Sequence, residues 1–206
     1  MKNKKLLLAV IGLLFLSLAL MPVTAGFAAA SAISANALTD LNPPPPDWYT
    51  CYMTGSGTIC HGKMTFEHFG GFDGTCPQGF YILENGYKEE TGTRYYDRNG
   101  DLIKRVLHDV YPVDDPRNIL YNSQTGKSVA YSGNVTETDT FAVPGDFNSI
   151  TARATGNLYT VTLPGSGLLI HDVGLFTFAP DGSILEDRGP KMLFYGDTEK
   201  LCSVLN

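Results

Sequence analysis

The sequence predicts an all-β fold, an antiparallel β-barrel with a β-sandwich as the alternative. Three observations carry that expectation. Short apolar runs with period-two alternation recur along the chain, separated by Gly, Pro, Asn and Asp turn signals. No amphipathic stretch reaches about 12 residues, the length an isolated helix needs. The 206 residues also hold 22 Gly, 12 Pro, 11 Tyr and 11 Phe, a mixture that favours turns and strands.

The chain opens with a basic segment, Met1–Lys5, followed by an apolar run from Leu6 to Leu20. Met21 and Pro22 close the run, and small residues follow. That order is a secretory signal peptide, with cleavage expected between Ala25 and Ala37. The run is short for a membrane span of about 20 residues, so an anchor is the lesser reading. Export implies a secreted, extracellular protein with no stable membrane anchor once the leader is cleaved. Without Lys2, Lys4 and Lys5, twelve basic residues face twenty-one acidic ones, a balance of −9. Such a surface argues against nucleic acid, which requires a basic face. Residues 38–47, with Leu41-Asn42 and four prolines, read as a stiff, solvated polyproline spacer. A single β domain is expected over residues 48–206.

Cys51, Cys60, Cys76 and Cys202 all follow the leader. An even count in an exported chain reads as two disulfides, for which three pairings exist. The turn-like Thr54-Gly55-Ser56-Gly57 makes a local Cys51–Cys60 bridge plausible, which would leave Cys76 to reach Cys202. A zinc site from Cys60, His61, His68 and Cys76 is the competing reading, but the spacing lacks CxxC or HxxxH and no metal is expected.

The strands follow in order. Phe80–Glu89 and Thr91–Tyr96 come first, and Asn99-Gly100 then marks a hairpin. Leu102–Tyr111 runs to Pro112. Asn118–Asn122 and Lys127–Ser132 flank the turn at Ser123–Gly126. Val135–Ala142 ends at Pro144-Gly145, and Ser149–Ala154 and Leu158–Leu163 are separated at Gly156-Asn157. Leu168–Phe178 leads through Pro180-Asp181-Gly182 into Ser183–Glu186. Only Thr198–Leu205 reads as a helix. The Asp97–Asp101 turn imitates a calcium loop, but its glycine stands fourth instead of sixth, so a hairpin is expected.

Alternation assigns candidate faces. His108 shares a face with Val106 and Val110, and His171 shares one with Leu169, Val173 and Leu175. Both histidines are therefore expected inside the barrel, unless a bulge near Pro112 or Gly174 shifts the face. Tyr131 and Tyr159 share faces with Val129 and Val161. His108, His171, Tyr131 and Tyr159 are the candidate ligand-binding residues, since an apolar cavity with a few polar groups is the usual small-molecule site. Glu84, Glu89, Glu90, Asp97, Asp109 and Asp172 read as solvated strand or turn residues, and no pair stands out as general acid and base. No cofactor motif is present. The first functional expectation is a secreted, disulfide-bonded β-barrel that binds a small or apolar ligand, as lipocalin-like barrels do. The alternatives are a small barrel enzyme of the cyclase or isomerase type, by analogy with allene oxide cyclase, and a cell-envelope interaction module without a pocket.

Several segments together carry a resemblance. They are Cys76-Pro77-Gln78-Gly79-Phe80, Arg94–Leu102, Tyr121–Ser128, Pro164–Gly174 and the terminal Leu201-Cys202. From Cys76 onward the chain resembles a group of small exported bacterial proteins of actinobacterial type with no assigned function. A cysteine at both ends of this region in that group implies the Cys76–Cys202 pairing. The shared motifs are mostly turns, so the resemblance implies a fold and no catalytic residue.

Overall fold

The computed structural model describes residues 31–32, 40–163, 165, 167–193 and 198–206. The expected leader up to residue 30, and most of its cleavage region, lie outside the described residues. Eleven strands follow in chain order: β1 Ser31–Ala32, β2 Tyr49–Thr54, β3 Gly57–Thr75, β4 Tyr81–Tyr96, β5 Leu102–Tyr111, β6 Ile119–Asn122, β7 Ser128–Ala130, β8 Ser132–Phe141, β9 Ile150–Leu163, β10 Gly167–Phe178 and β11 Ile184–Arg188. One short α-helix among the described residues, α1, spans Glu199–Leu205, and a single 3-10 turn spans Phe147–Ser149. All strand pairs are antiparallel and belong to one sheet, ordered β1-β2-β3-β4-β5-β8-β9-β10-β11, with β6 on β4 and β7 on β6. The all-β antiparallel expectation holds. The sheet is not closed, so the expected barrel closure is absent from this strand order.

Two strands run through places where the sequence predicted breaks. β4 is continuous across Glu90-Thr91. β9 is continuous across Gly156-Asn157, and the turn signal there serves as a bulge. Asn157 pairs with Asn134 on one side and Val173 on the other, and both ladders shift register beside it. Gly156 has φ +131, and a Cβ there would lie 2.2 Å from the Asn134 carbonyl oxygen, so only glycine lets the strands approach. The long β3 was not foreseen, because its second half is rich in glycine. Gly62 lies opposite Gly92, and the rings of Trp48 and Tyr49 fill the space that their Cβ atoms would occupy. Aromatic rings covering paired glycines restore the packing that the glycines forfeit.

β4 changes partner along its length. Ile82–Asn85 pairs with β6, and Glu89–Tyr96 pairs with β5. Buried Asn118 bridges the gap between them. Its Oδ1 accepts the Tyr87 N–H at 2.6 Å, and its Nδ2 donates to the Pro112 carbonyl at 3.1 Å. The Asn99-Gly100 hairpin forms as expected, with Gly100 at φ +87. Asp97 Oδ1 accepts the N–H groups of Asn99 and Asp101, so its carboxylate serves the turn.

The expected solvated spacer is a correction. Leu41 is buried in the core, and Asn42 exchanges backbone hydrogen bonds with Gly100 and Leu102. The Tyr96 hydroxyl donates to the Pro43 carbonyl at 2.9 Å. A proline has no N–H to offer a ladder, but its carbonyl still accepts, and that is how this segment is held. The folded unit therefore includes Leu41–Pro46.

Two apolar clusters fill the inner face. One gathers Phe80, Ile82, Leu120, Val161, Ile170 and the α1 residues Leu201 and Leu205 around Cys76 and Cys202. The other gathers Leu41, Tyr49, Tyr96, Leu102 and Phe141 around Cys51 and Cys60. Both disulfides pair as the spacing favoured, Cys51 with Cys60 and Cys76 with Cys202. No thiolate of Cys60 or Cys76 remains for the zinc reading. Two disulfides fit an oxidising compartment, and no helix among the described residues is long and apolar enough to cross a membrane.

Candidate functional site

Between the two apolar clusters the inner face turns polar. Register places Glu84, Gly86, Lys88 and Glu90 of β4 on that face, with His68 of β3 opposite Gly86 and Asp109 of β5 opposite Glu90. Glu84 is the centre. Its Oε1 accepts the hydroxyl of buried Tyr131, and its Oε2 accepts that of Tyr159 at 2.8 Å. His68 Nε2 stands 3.3 Å from Oε1. The Glu84 side chain is 10 % exposed and that of His68 41 %, so the imidazole is where solvent meets the cluster. Gly86 makes this convergence possible. A Cβ there would lie 2.2 Å from His68 Cε1 and 2.5 Å from the Tyr131 hydroxyl. The rings of Tyr111, Tyr131 and Tyr159 follow one another with centroids 5.7 and 5.3 Å apart. Burial pushes the Tyr111 phenol above its ordinary range.

Beside Glu84 lies an ion cluster. Lys88 Nζ donates to Asp109 Oδ2 at 2.7 Å and to Glu90 Oε2 at 3.0 Å. It also sits 4.9 Å from the centre of the Phe66 ring. Burial alone would favour the neutral amine, but the two carboxylates outweigh it and hold Lys88 above its ordinary range. Further along, Arg105 Nε donates to Asp139 Oδ2 at 2.6 Å, and its Nη2 pairs with Glu137 at 3.3 Å. Burial and the neighbouring Asp139 charge push the Glu137 carboxyl up. Oδ1 of Asp109 and Oδ1 of Asp139 are buried and have no hydrogen-bond partner among the described residues.

The predicted site residues divide. Tyr131 and Tyr159 lie inside and meet on one carboxylate. His108 and His171 do not join them, and their inward placement is a correction. His171 is exposed. It faces Thr160 across the β9–β10 pair, with Nδ1 3.2 Å from the hydroxyl. His108 is half-buried on the face opposite Asp109, and its Nδ1 lies 3.1 Å from Thr136 Oγ1. His61 meets Thr93 in the same way at 2.9 Å. Three histidines are thus cross-strand partners of threonines on the outer face. The reason is common to both misplaced residues. Asp109 and Asp172, expected in solvent, point inward, and alternation then turns His108 and His171 outward. Asp109 is held by Lys88. Asp172 is fully buried and accepts the Met192 N–H at 2.6 Å.

Sequence reasoning therefore missed Glu84, Glu90 and Asp172 as buried groups. It considered His68 only as a zinc ligand. One signal was present: Glu84, Gly86, Lys88 and Glu90 alternate strictly, as one face of a strand must. Two shallow clefts lie elsewhere. One of ≈ 430 Å³ adjoins the Asp97–Gly100 turn, and one of ≈ 570 Å³ is lined by residues that include Trp48, Tyr52, His61 and Lys63. Neither contains the Glu84 cluster, and chemistry is better judged from converging titratable groups than from concavity alone. Compared with known protein families, curated proteins and solved structures, the chain matches none, so its chemistry is read from its own residues.

Proposed function

We propose that the protein is a secreted, disulfide-bonded domain whose curled sheet acts as a lipocalin-like or allene-oxide-cyclase-like barrel and binds a small ligand beside Glu84. The observation that supports this reading is the convergence of Tyr131, Tyr159 and His68 on one buried carboxylate, with one member reaching solvent. Burying a carboxylate costs stability unless it is well bonded, and such groups cluster at functional sites more than elsewhere. Glu84, Glu90 and Asp109 outnumber the cationic Lys88 nearby, so the preferred ligand carries a hydroxyl or cationic head. The tyrosine rings offer apolar and cation–π contact to its body. Native mass spectrometry of protein purified from its own host tests the reading. A retained small molecule that is lost from Glu84→Gln and His68→Ala, and kept in His171→Ala, is the expected result. A bare protein mass that no library compound shifts would overturn it.

The His68–Glu84 contact favours a second reading, an isomerase- or cyclase-type enzyme. The carboxylate orients the imidazole, and the adjacent tyrosine hydroxyls donate into the same cluster, which places proton donors and acceptors side by side. Recovery of a chemically altered ligand after incubation, abolished in His68→Gln, separates catalysis from binding.

A further inference from the structure

We propose that Lys88 and Asp109 become joined by an intramolecular isopeptide bond, with Glu90 as the proton carrier, tying β4 to β5 inside the sheet. The three side chains already touch. Lys88 Nζ lies 2.7 Å from Asp109 Oδ2 and 3.0 Å from Glu90 Oε2. Register explains the contact: Glu90 is directly opposite Asp109, and Lys88, two residues back on the same face, reaches it along the diagonal. Long side chains span that diagonal readily. The group is sheltered, with the Phe66 ring on one side of the ammonium. Only about a fifth of either the Lys88 or the Asp109 side chain is exposed. Asp109 Oδ1 is buried and has no hydrogen-bond partner among the described residues, so only the oxygen that meets Lys88 is held.

The step balances without any added reagent. Lys88 passes a proton to Glu90, and the freed Nζ lone pair adds to Cγ of Asp109. Glu90 returns the proton to a departing carboxylate oxygen. That oxygen leaves as water with two hydrogens of the former ammonium, and the N–C bond of a neutral amide remains. One positive and one negative charge disappear together. The ion pair holds Lys88 in its ammonium form, so proton transfer to a carboxylate already in contact is the first event. Holding the reacting atoms together supplies the proximity that makes such condensations feasible. In the product, the amide N–H faces Glu90.

Intact-mass measurement of the full chain, produced with its disulfides and then reduced, tests the bond. The expected mass is lower than the sequence mass by one water, and peptide mapping should join the Lys88 peptide to the Asp109 peptide. Lys88→Ala and Glu90→Gln should both return to full mass, with unchanged circular dichroism showing that each still folds. A wild-type chain at full mass overturns the proposal, as does a water loss that persists in Lys88→Ala. Water loss retained in Glu90→Gln overturns the role of Glu90.

Discussion

The two faces of the sheet use polar residues in opposite ways. On the outer face, His61, His108 and His171 each sit across from a threonine at 2.9 to 3.2 Å, and among the described residues only Thr160 of these threonines bonds a further side chain, that of Asn157. On the inner face, Glu84, Lys88, Glu90, Asp109, Arg105, Glu137 and Asp139 form contacts that link several strands, and two carboxylate oxygens there have no hydrogen-bond partner among the described residues. An isolated surface pair contributes little, whereas a buried network is costly to interrupt. Residue type is therefore a poor guide to chemistry here, and the company a residue keeps is a better one.

That contrast can be broken at several strengths. The largest effect is expected where the inner face is tied covalently. Cys202→Ser should cost about 4–5 kcal/mol in the chain-entropy account, against about 2–3 kcal/mol for Cys51→Ser, whose closed loop is short. Urea unfolding of both variants gives the ranking, and the reverse order would show that loop length is not what matters. Glu84→Ala leaves the hydroxyls of Tyr131 and Tyr159 without their acceptor, so a loss of about 3 kcal/mol is expected. His171→Ala should change stability by less than about 0.5 kcal/mol. Equal losses for the two would remove the distinction between the faces.

Glycine positions sharpen it further. Gly86→Ala should destabilise by about 1–3 kcal/mol, because its methyl group meets both His68 and Tyr131. Gly55→Ala meets nothing within 4 Å and should be close to neutral by thermal melting. The smallest effect concerns Glu137. Its carboxyl is raised in the folded protein, so the native state binds the proton more tightly than the unfolded chain does. Stability then falls as pH rises from the ordinary carboxyl range through the raised value, and the penalty persists above it. Glu137→Gln should remove this slope and give a gain at neutral pH that vanishes in acid. The gain stays under about 1 kcal/mol, because the side chain is partly exposed and solvent-screened. Denaturation curves across the acid range measure it.

Turn chemistry was the most legible part of the sequence. Asn99-Gly100 ends a strand where expected, and β5 has the predicted bounds. The disulfide framework was legible as well, because four cysteines leave few choices. What stayed hidden was the direction of strands that have apolar residues on both faces. In β5, Val106 and Val110 compete with Leu107 and Tyr111. In β10, Leu169 and Val173 compete with Ile170 and Phe176. Polarity is the natural tie-breaker, and it misled here because Asp109 and Asp172 have partners inside. Those partners, Lys88 and the Met192 N–H, come from other strands or from chain far along, and no local pattern encodes them. Tyr131 and Tyr159 were placed correctly because bulky neighbours share their face, but the carboxylate that unites them stands 47 residues from one and 75 from the other.

The Cys76–Cys202 bridge spans 126 residues, and its second member lies in the closing helix. A further 126 residues therefore follow Cys76 before its partner exists. During that interval the other thiols in the chain are Cys51 and Cys60, and the short β2–β3 hairpin withdraws both by pairing them directly. Chain order sets what each bridge requires: the local one needs only its hairpin, and the long one needs the chain as far as Cys202. The long bridge in effect records that the chain has reached Cys202. A chain cut between Cys76 and Cys202 keeps a single unpaired thiol at Cys76 once Cys51 and Cys60 have paired.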